Sequence, residues 1–172
     1  MNRIIKERGS NREPLFVKFI NREISGIELL NIFARSSDKV TSEAAKEAIE
    51  SPPDIEPFRK ELTDAVRDII KEGPDEDFKA FVNHYMESAL IEDIQQSPSK
   101  FGENVSRTAR VKDPESDWIQ GMLCYNLCLY IKAFGLENLK NCRVCGKVFA
   151  HKGKYAVYCS DLCKTTGKQK KL

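Results

Sequence analysis

Apolar residues recur every three or four positions through the middle of the chain, a pattern typical of amphipathic helices. The clearest run comprises Ile55, Phe58, Leu62, Ala65, Val66, Ile69 and Ile70, with charged residues between them. Gly73-Pro74 then provides a stop signal. Asp75 can cap a following helix, whose apolar face is Phe78, Phe81, Val82, Tyr85, Ala89, Leu90 and Ile94.

Three further helices are predicted on either side of this region. Ile27, Leu29, Leu30, Ile32 and Phe33 follow Ser25-Gly26 and indicate one helix. Residues 42–50 indicate another, with Thr41 as its N-cap and Pro52-Pro53 as its stop. The most apolar stretch starts after Ser116 or Asp117 and ends near Gly135. Polar residues interrupt it, so it predicts a buried central helix and not a membrane span.

Other segments depart from the helical pattern. Leu15, Val17 and Phe19 alternate with Phe16, Lys18 and Ile20, which favours a short strand. Residues 97–115 contain two prolines and a glycine and are predicted to form a long loop. Residues 1–12 are predicted to be a polar tail. The expected fold is therefore mainly α, with a bundle of about five helices over 13–139 and a small C-terminal domain over 140–172.

The amino-acid composition limits the classes of protein to which the chain can belong. The chain has 172 residues, of which 41% are apolar and 31% charged, a balance typical of a soluble globular protein. The basic N-terminal segment lacks the apolar region of a secretory signal, so we expect a cytoplasmic protein. No phosphate loop, dinucleotide fingerprint or nucleophile elbow occurs, and no enzymatic activity is predicted.

The six cysteines include two close pairs near the C-terminus. The motif is Cys142-Arg-Val-Cys145-Gly146, followed by Tyr158-Cys159-Ser-Asp-Leu-Cys163. The first pair fits a tight turn in which Gly146 takes a positive φ and its amide donates to a thiolate. The second pair shares one face of a helix starting near Ser160. Four thiolates form a closed tetrahedral shell, which predicts one structural zinc ion, with an iron–sulfur cluster as the alternative.

The remaining cysteines and histidines fit simpler roles. Cys124 and Cys128 lie four apart on the most apolar helix, and no further pair is available to complete a second metal site, so core positions are predicted. His151 lies between the two cysteine pairs and is predicted to be an exposed loop residue. His84 is predicted to be a half-buried helical residue.

The motif Cys-Arg-Val-Cys-Gly-Lys-Val-Phe followed by Tyr-Cys-Ser-Asp-Leu-Cys resembles a treble-clef finger, in which a hairpin carries one pair and a helix the other. It also resembles the CGNR-type zinc finger of bacterial proteins, which place a helical domain first and the finger last. The resemblance implies a bacterial transcription regulator. After Cys163, however, the sequence is Lys-Thr-Thr-Gly and not the Gly-Asn-Arg for which that family is named.

Charge is unevenly distributed along the chain. Residues 141–172 contain eight basic residues and one acidic residue, a net charge of +7, whereas the rest has 20 basic and 25 acidic residues, a net charge of −5. One zinc ion with four thiolates contributes −2, which leaves about +5. This excess predicts binding to DNA or RNA phosphates, with an acidic protein surface as the alternative partner. The candidate contacts are Arg143, Lys147, Lys152, Lys154, Lys164 and Lys168.

Overall fold

The computed structural model describes residues 13–99, 102–151 and 156–169, and for 88–99 and 102–108 it describes the backbone. Within these residues the fold is mainly helical, as predicted. The elements are α1 (Leu15–Ile20), α2 (Gly26–Phe33), α3 (Lys39–Glu50), α4 (Glu56–Glu72), α5 (Glu76–Ala89), β1 (Leu90–Ser99), β2 (Gly102–Val111), α6 (Trp118–Phe134), β3 (Leu139–Asn141), β4 (Val148–Ala150) and α7 (Asp161–Gln169). A 3-10 turn at Leu136–Asn138 joins α6 to β3. None of the described helices is long and apolar enough to cross a membrane.

The described residues form two compact units, each built from several stretches of chain. Of the described residues, the first comprises 26–53, 82–99 and 102–125, and the second comprises 13–25, 54–81, 126–151 and 156–169. Residues 140–169 therefore belong to the same unit as α1 and α4. The predicted boundary between a helical domain over 13–139 and a C-terminal domain over 140–172 stays a prediction.

The first unit contains α2, α3 and the antiparallel hairpin β1–β2. Its core includes Leu29, Leu30 and Phe33, and the ring of Phe33 meets Trp118 edge-on at 5.6 Å. Strand β2 packs against α3, where the buried Thr41 hydroxyl accepts a hydrogen bond from the Val111 amide at 3.3 Å.

Helix α3 begins earlier than predicted. Its N-cap is Asp38, whose carboxylate accepts a hydrogen bond from the Thr41 amide at 2.7 Å, so the assignment of Thr41 as the cap is wrong. A carboxylate there satisfies an otherwise unpaired amide of the first turn. Two other predicted signals are confirmed: Asp75 accepts from the Phe78 amide at 2.8 Å, and Gly73 ends α4 with a φ of +88°.

The strand predicted for residues 15–20 is wrong, because this segment is helix α1. Phe16, Val17, Phe19 and Ile20 are all buried. That set fits the one-sided stripe of a helix and not a strand with alternating faces. Pro14 directly precedes the helix, and its carbonyl accepts the first helical hydrogen bond, from the Lys18 amide at 3.1 Å.

The region after α5 also differs from the prediction. The helix ends at Ala89 and does not reach Ile94, and residues 102–111, predicted to lie in a loop, pair with β1. The alternation at the end of β2 agrees with this, since Ala109 and Val111 are buried and Arg110 is exposed. Leu90 and Ile94 continue the apolar spacing of α5, so periodicity alone extended the predicted helix into β1.

Candidate metal centre

The first cysteine pair lies in the tight turn between β3 and β4. The two strands are antiparallel, with Asn141 opposite Val148. The Cys142 amide donates to the Lys147 carbonyl at 2.8 Å, and the Gly146 amide donates to the Cys142 carbonyl at 2.9 Å. Gly146 has a φ of +72°, so the predicted positive φ is confirmed, but its amide closes the turn and does not bond a thiolate.

The second pair lies at the beginning of α7. Cys159 precedes the helix, and Cys163 lies in its first turn. The Ser160 hydroxyl accepts a hydrogen bond from the Cys163 amide at 3.3 Å, which is the role of an N-cap side chain. The start predicted near Ser160 is therefore confirmed. The Arg143 amide donates to the Val157 carbonyl at 3.1 Å and joins the two halves of the site.

These elements bring the sulfurs of Cys142, Cys145, Cys159 and Cys163 to within 4.8 Å of one another. The Cys145 and Cys159 sulfurs are 3.5 Å apart, and those of Cys159 and Cys163 are 3.7 Å apart. In a tetrahedral zinc site with Zn–S bonds of about 2.3 Å, the sulfurs lie about 3.8 Å apart. The described arrangement is therefore large enough to hold a metal ion and close to the required shape.

The four thiols are electrostatically unequal. Burial raises the pKa of Cys142, but the amides of Cys145, Cys159 and Val144 donate to its sulfur and bring the pKa down to about 6. Burial, and then hydrogen bonding of its protonated thiol to the sulfurs of the other three cysteines, raise the pKa of Cys159 to about 12. Burial also raises the pKa of Cys145, against a hydrogen bond from the Lys147 amide. A cation among the sulfurs would favour ionisation of the whole set.

The predicted basic contacts are partly described. Arg143, Lys164 and Lys168 are exposed, and the two lysines lie one turn apart on α7. Lys147 is exposed as well, but its ammonium lies 3.3 Å from the Glu23 carboxylate, which raises the pKa of Lys147. Lys152 and Lys154 lie outside the described residues.

The other candidate ligands lie apart from the four cysteines. In the described part of the chain, the four cysteines are the only close group of three or more metal-ligand side chains. Cys124 is fully buried, as predicted for a core residue. Cys128 is half-buried, and burial raises the pKa of its thiol. His151 is exposed, as predicted, whereas His84, predicted to be half-buried, is exposed on α5 because its side chain points away from the buried face.

Sequence reasoning missed the side chains that contact this turn from α4 and from the segment after α1. Asn21, Glu23 and Arg67 contact residues 146–148 and are 79 to 127 positions away in the chain. A cavity of about 310 Å³ beside the thiols is also lined by Glu13. No local spacing signals such contacts, because they depend on the packing of the second unit.

Comparison with models of known protein families finds no match, and comparison with curated protein sequences finds no relative.

Proposed function

We propose that this protein holds one structural zinc ion through Cys142, Cys145, Cys159 and Cys163. The observation that supports this is the convergence of four sulfurs within 4.8 Å of one another. Thiolate sets of this kind select zinc or iron–sulfur clusters, and a tetrahedral S₄ set suits zinc. Four protein ligands leave no open coordination position, so the role of the ion is structural and not catalytic. When bound, zinc supplies the positive charge that four adjacent thiolates require.

The arrangement around the site supports a treble-clef finger. A short hairpin carries the first pair at its turn, and a helix begins at the second pair. Together with the motif, this favours a relationship to the CGNR-type fingers, although Lys164-Thr-Thr-Gly167 replaces the motif that names them.

Elemental analysis of the purified protein tests the metal assignment. We expect one zinc per chain, loss of the zinc in Cys145→Ser, and retention in Cys128→Ala, a control cysteine outside the cluster. Iron with a charge-transfer absorption would favour the cluster alternative. A chain that binds neither metal and keeps residues 139–169 ordered would refute the proposal.

We further propose that the basic surface around this site binds nucleic acid, with regulation of transcription as the role that the family resemblance implies. Three exposed cations support it: Arg143 on the turn, and Lys164 and Lys168 on α7. They belong to a segment with a net charge of +7. Contacts of this kind neutralise phosphates and release counterions, so affinity falls with added salt.

A salt series with duplex DNA and single-stranded RNA tests this proposal. The variant Arg143→Gln/Lys164→Gln/Lys168→Gln should bind more weakly, and its log–log salt slope should be smaller by up to about three. The control is Lys39→Gln/Lys46→Gln/Lys112→Gln, which removes the same charge from exposed positions of the first unit. Equal weakening in both variants would indicate a nonspecific effect of net charge. No binding at low salt would refute the proposal.

A protein partner is the second candidate, and one observation favours it. Leu162 on α7 is 78% exposed, more than the other exposed large apolar side chains described. Leu162 shares α7 with Lys164 and Lys168, and protein interfaces combine apolar contacts with a charged rim. If an acidic protein is the partner, Leu162→Ser should weaken its binding, and added salt should weaken it less steeply than it weakens nucleic-acid binding.

A further inference from the structure

Asn21, just beyond the C-terminus of α1, pairs with the strand that follows the first cysteine pair. Its carboxamide oxygen accepts from the Val148 amide at 3.2 Å, and its carboxamide nitrogen donates to the Val148 carbonyl at 2.6 Å. Both backbone groups of Val148 are therefore satisfied by one side chain 127 positions away. Asn21 thus makes the two backbone hydrogen bonds with Val148 that a neighbouring strand would otherwise provide.

Side chains from distant parts of the chain also contact the two residues before Val148. The Arg67 guanidinium donates to the Gly146 carbonyl at 3.4 Å, and the Glu23 carboxylate lies 3.3 Å from the Lys147 ammonium. Three consecutive residues after Cys145 are thus each contacted by a side chain from α4 or from the segment that ends α1. Helix α1 packs against β4, and α4 packs against β3. The turn that carries two of the four sulfurs is therefore supported from the helical part of its own unit.

We infer that Asn21 is a positioning residue for the metal site, and that metal binding and the folding of α1 and α4 form one coupled equilibrium. The inference rests on the proposed zinc binding. Partners that orient ligands are worth about 10- to 100-fold in metal affinity in known sites. Coupling is reciprocal, so if Asn21 at the end of α1 stabilises the site, its own contacts must be stabilised when the metal binds.

Zinc competition with a chromophoric chelator measures the effect of Asn21 on zinc affinity. Asn21→Ala removes both hydrogen bonds to Val148, and we expect about 10-fold weaker zinc retention. Asn31→Ala is the matched control, because Asn31 is exposed on α2 in the first unit and makes one local hydrogen bond, to the Ile27 carbonyl. It should retain zinc like the wild-type chain.

Hydrogen exchange of the wild-type chain measures the effect of zinc on α1 and α4, and it needs no variant. Removal of zinc by a chelator should raise the exchange rate of amides in α1 and α4 at least about 10-fold, with little change in α2 and α3. If Asn21→Ala does not fold, this measurement still tests the coupling between the metal site and the two helices.

The outcomes separate the inference from the metal proposal. If the wild-type chain binds no zinc, the proposed function fails. If it binds zinc, but Asn21→Ala retains zinc equally well or chelation leaves exchange in α1 and α4 unchanged, the inference is wrong while the zinc site stands.

Discussion

The guanidinium of Arg59 lies over the ring of Phe19, with its central carbon 4.3 Å from the ring centroid. Arg59 is 6% exposed. Its terminal nitrogen donates to the Ile24 carbonyl at 3.3 Å and lies 3.3 Å from the Glu56 carboxylate. The cation–π contact and the hydrogen bond thus join α4 to α1 and to the segment after it, while the ion pair with Glu56 lies within α4.

Removing this side chain should destabilise the second unit. We expect Arg59→Ala to lower the free energy of unfolding by about 2 kcal/mol, because the Ile24 carbonyl and the Phe19 ring both lose a partner. Arg59→Met keeps the apolar stem and should cost about half as much. Lys60→Ala, at the exposed neighbouring position, should change stability by less than about 0.5 kcal/mol. Denaturant unfolding of the zinc-loaded chain measures all three. Equal losses at positions 59 and 60 would contradict the prediction.

The sequence predicted a helix correctly where its buried apolar residues recur every three or four positions. Helix α4 is the clearest case, since Phe58, Leu62, Val66 and Ile69 are buried at helical spacing. Periodicity failed at 15–20, where nearly every residue is apolar and the helical and strand patterns overlap. It also failed at β1, because Leu90 and Ile94 continue the helical spacing of α5 although the strand begins at Leu90.

The candidate metal site was likewise only partly predictable from the sequence. The four cysteines were predictable because a knuckle and a helix start impose fixed local spacings on their ligands. The contacts of Asn21, Glu23 and Arg67 with the turn were not predictable, because no spacing links α1 or α4 to residues 146–148. The four cysteines thus lie within one short stretch of sequence, whereas the side chains that support their turn are brought there by tertiary packing.

Gly167 of α7 lies against the ring of Tyr158, just before the second cysteine pair. A Cβ atom at Gly167 would lie 2.6 Å from the nearest ring carbon. Alanine in place of glycine normally stabilises a helix by about 0.5–1 kcal/mol. Here we expect Gly167→Ala to destabilise the zinc-loaded chain, because the ring must move away from the helix that holds Cys163.

A double-mutant cycle isolates this contact. In a Tyr158→Ala background the steric conflict is gone, so Gly167→Ala should become stabilising, with a coupling of about 1 kcal/mol or more. Gln169→Ala, at an exposed position of the same helix, should have the same small effect in both backgrounds. The contact would be unimportant if Gly167→Ala had the same effect with and without the Tyr158 ring.

Glu13 and Glu23 form a carboxyl pair beside the cavity next to the thiols. Burial, and then the charge of Glu23 and a hydrogen bond to it, raise the pKa of Glu13 from 4.5 to about 7, although Lys147 and Lys18 act in the opposite direction. The folded chain therefore holds a proton on Glu13 that the unfolded chain releases between about pH 4.5 and 7. Its contribution to stability is complete below pH 4.5 and is lost as the pH rises through 7.

We expect the Glu13→Gln variant to remove this pH dependence, because a neutral amide resembles the protonated carboxyl. Relative to the wild-type chain, its stability should be unchanged near pH 5 and higher by about 1 kcal/mol near pH 8, a value reduced for the half-exposed position of Glu13. Urea unfolding at pH 5, 6.5 and 8 measures the difference between the two chains. Glu47→Gln, at an exposed position of α3, should show no such trend. A constant difference across this pH range would mean that Glu13 is already ionised in the folded protein, so that Lys147 and Lys18 outweigh burial and the charge of Glu23.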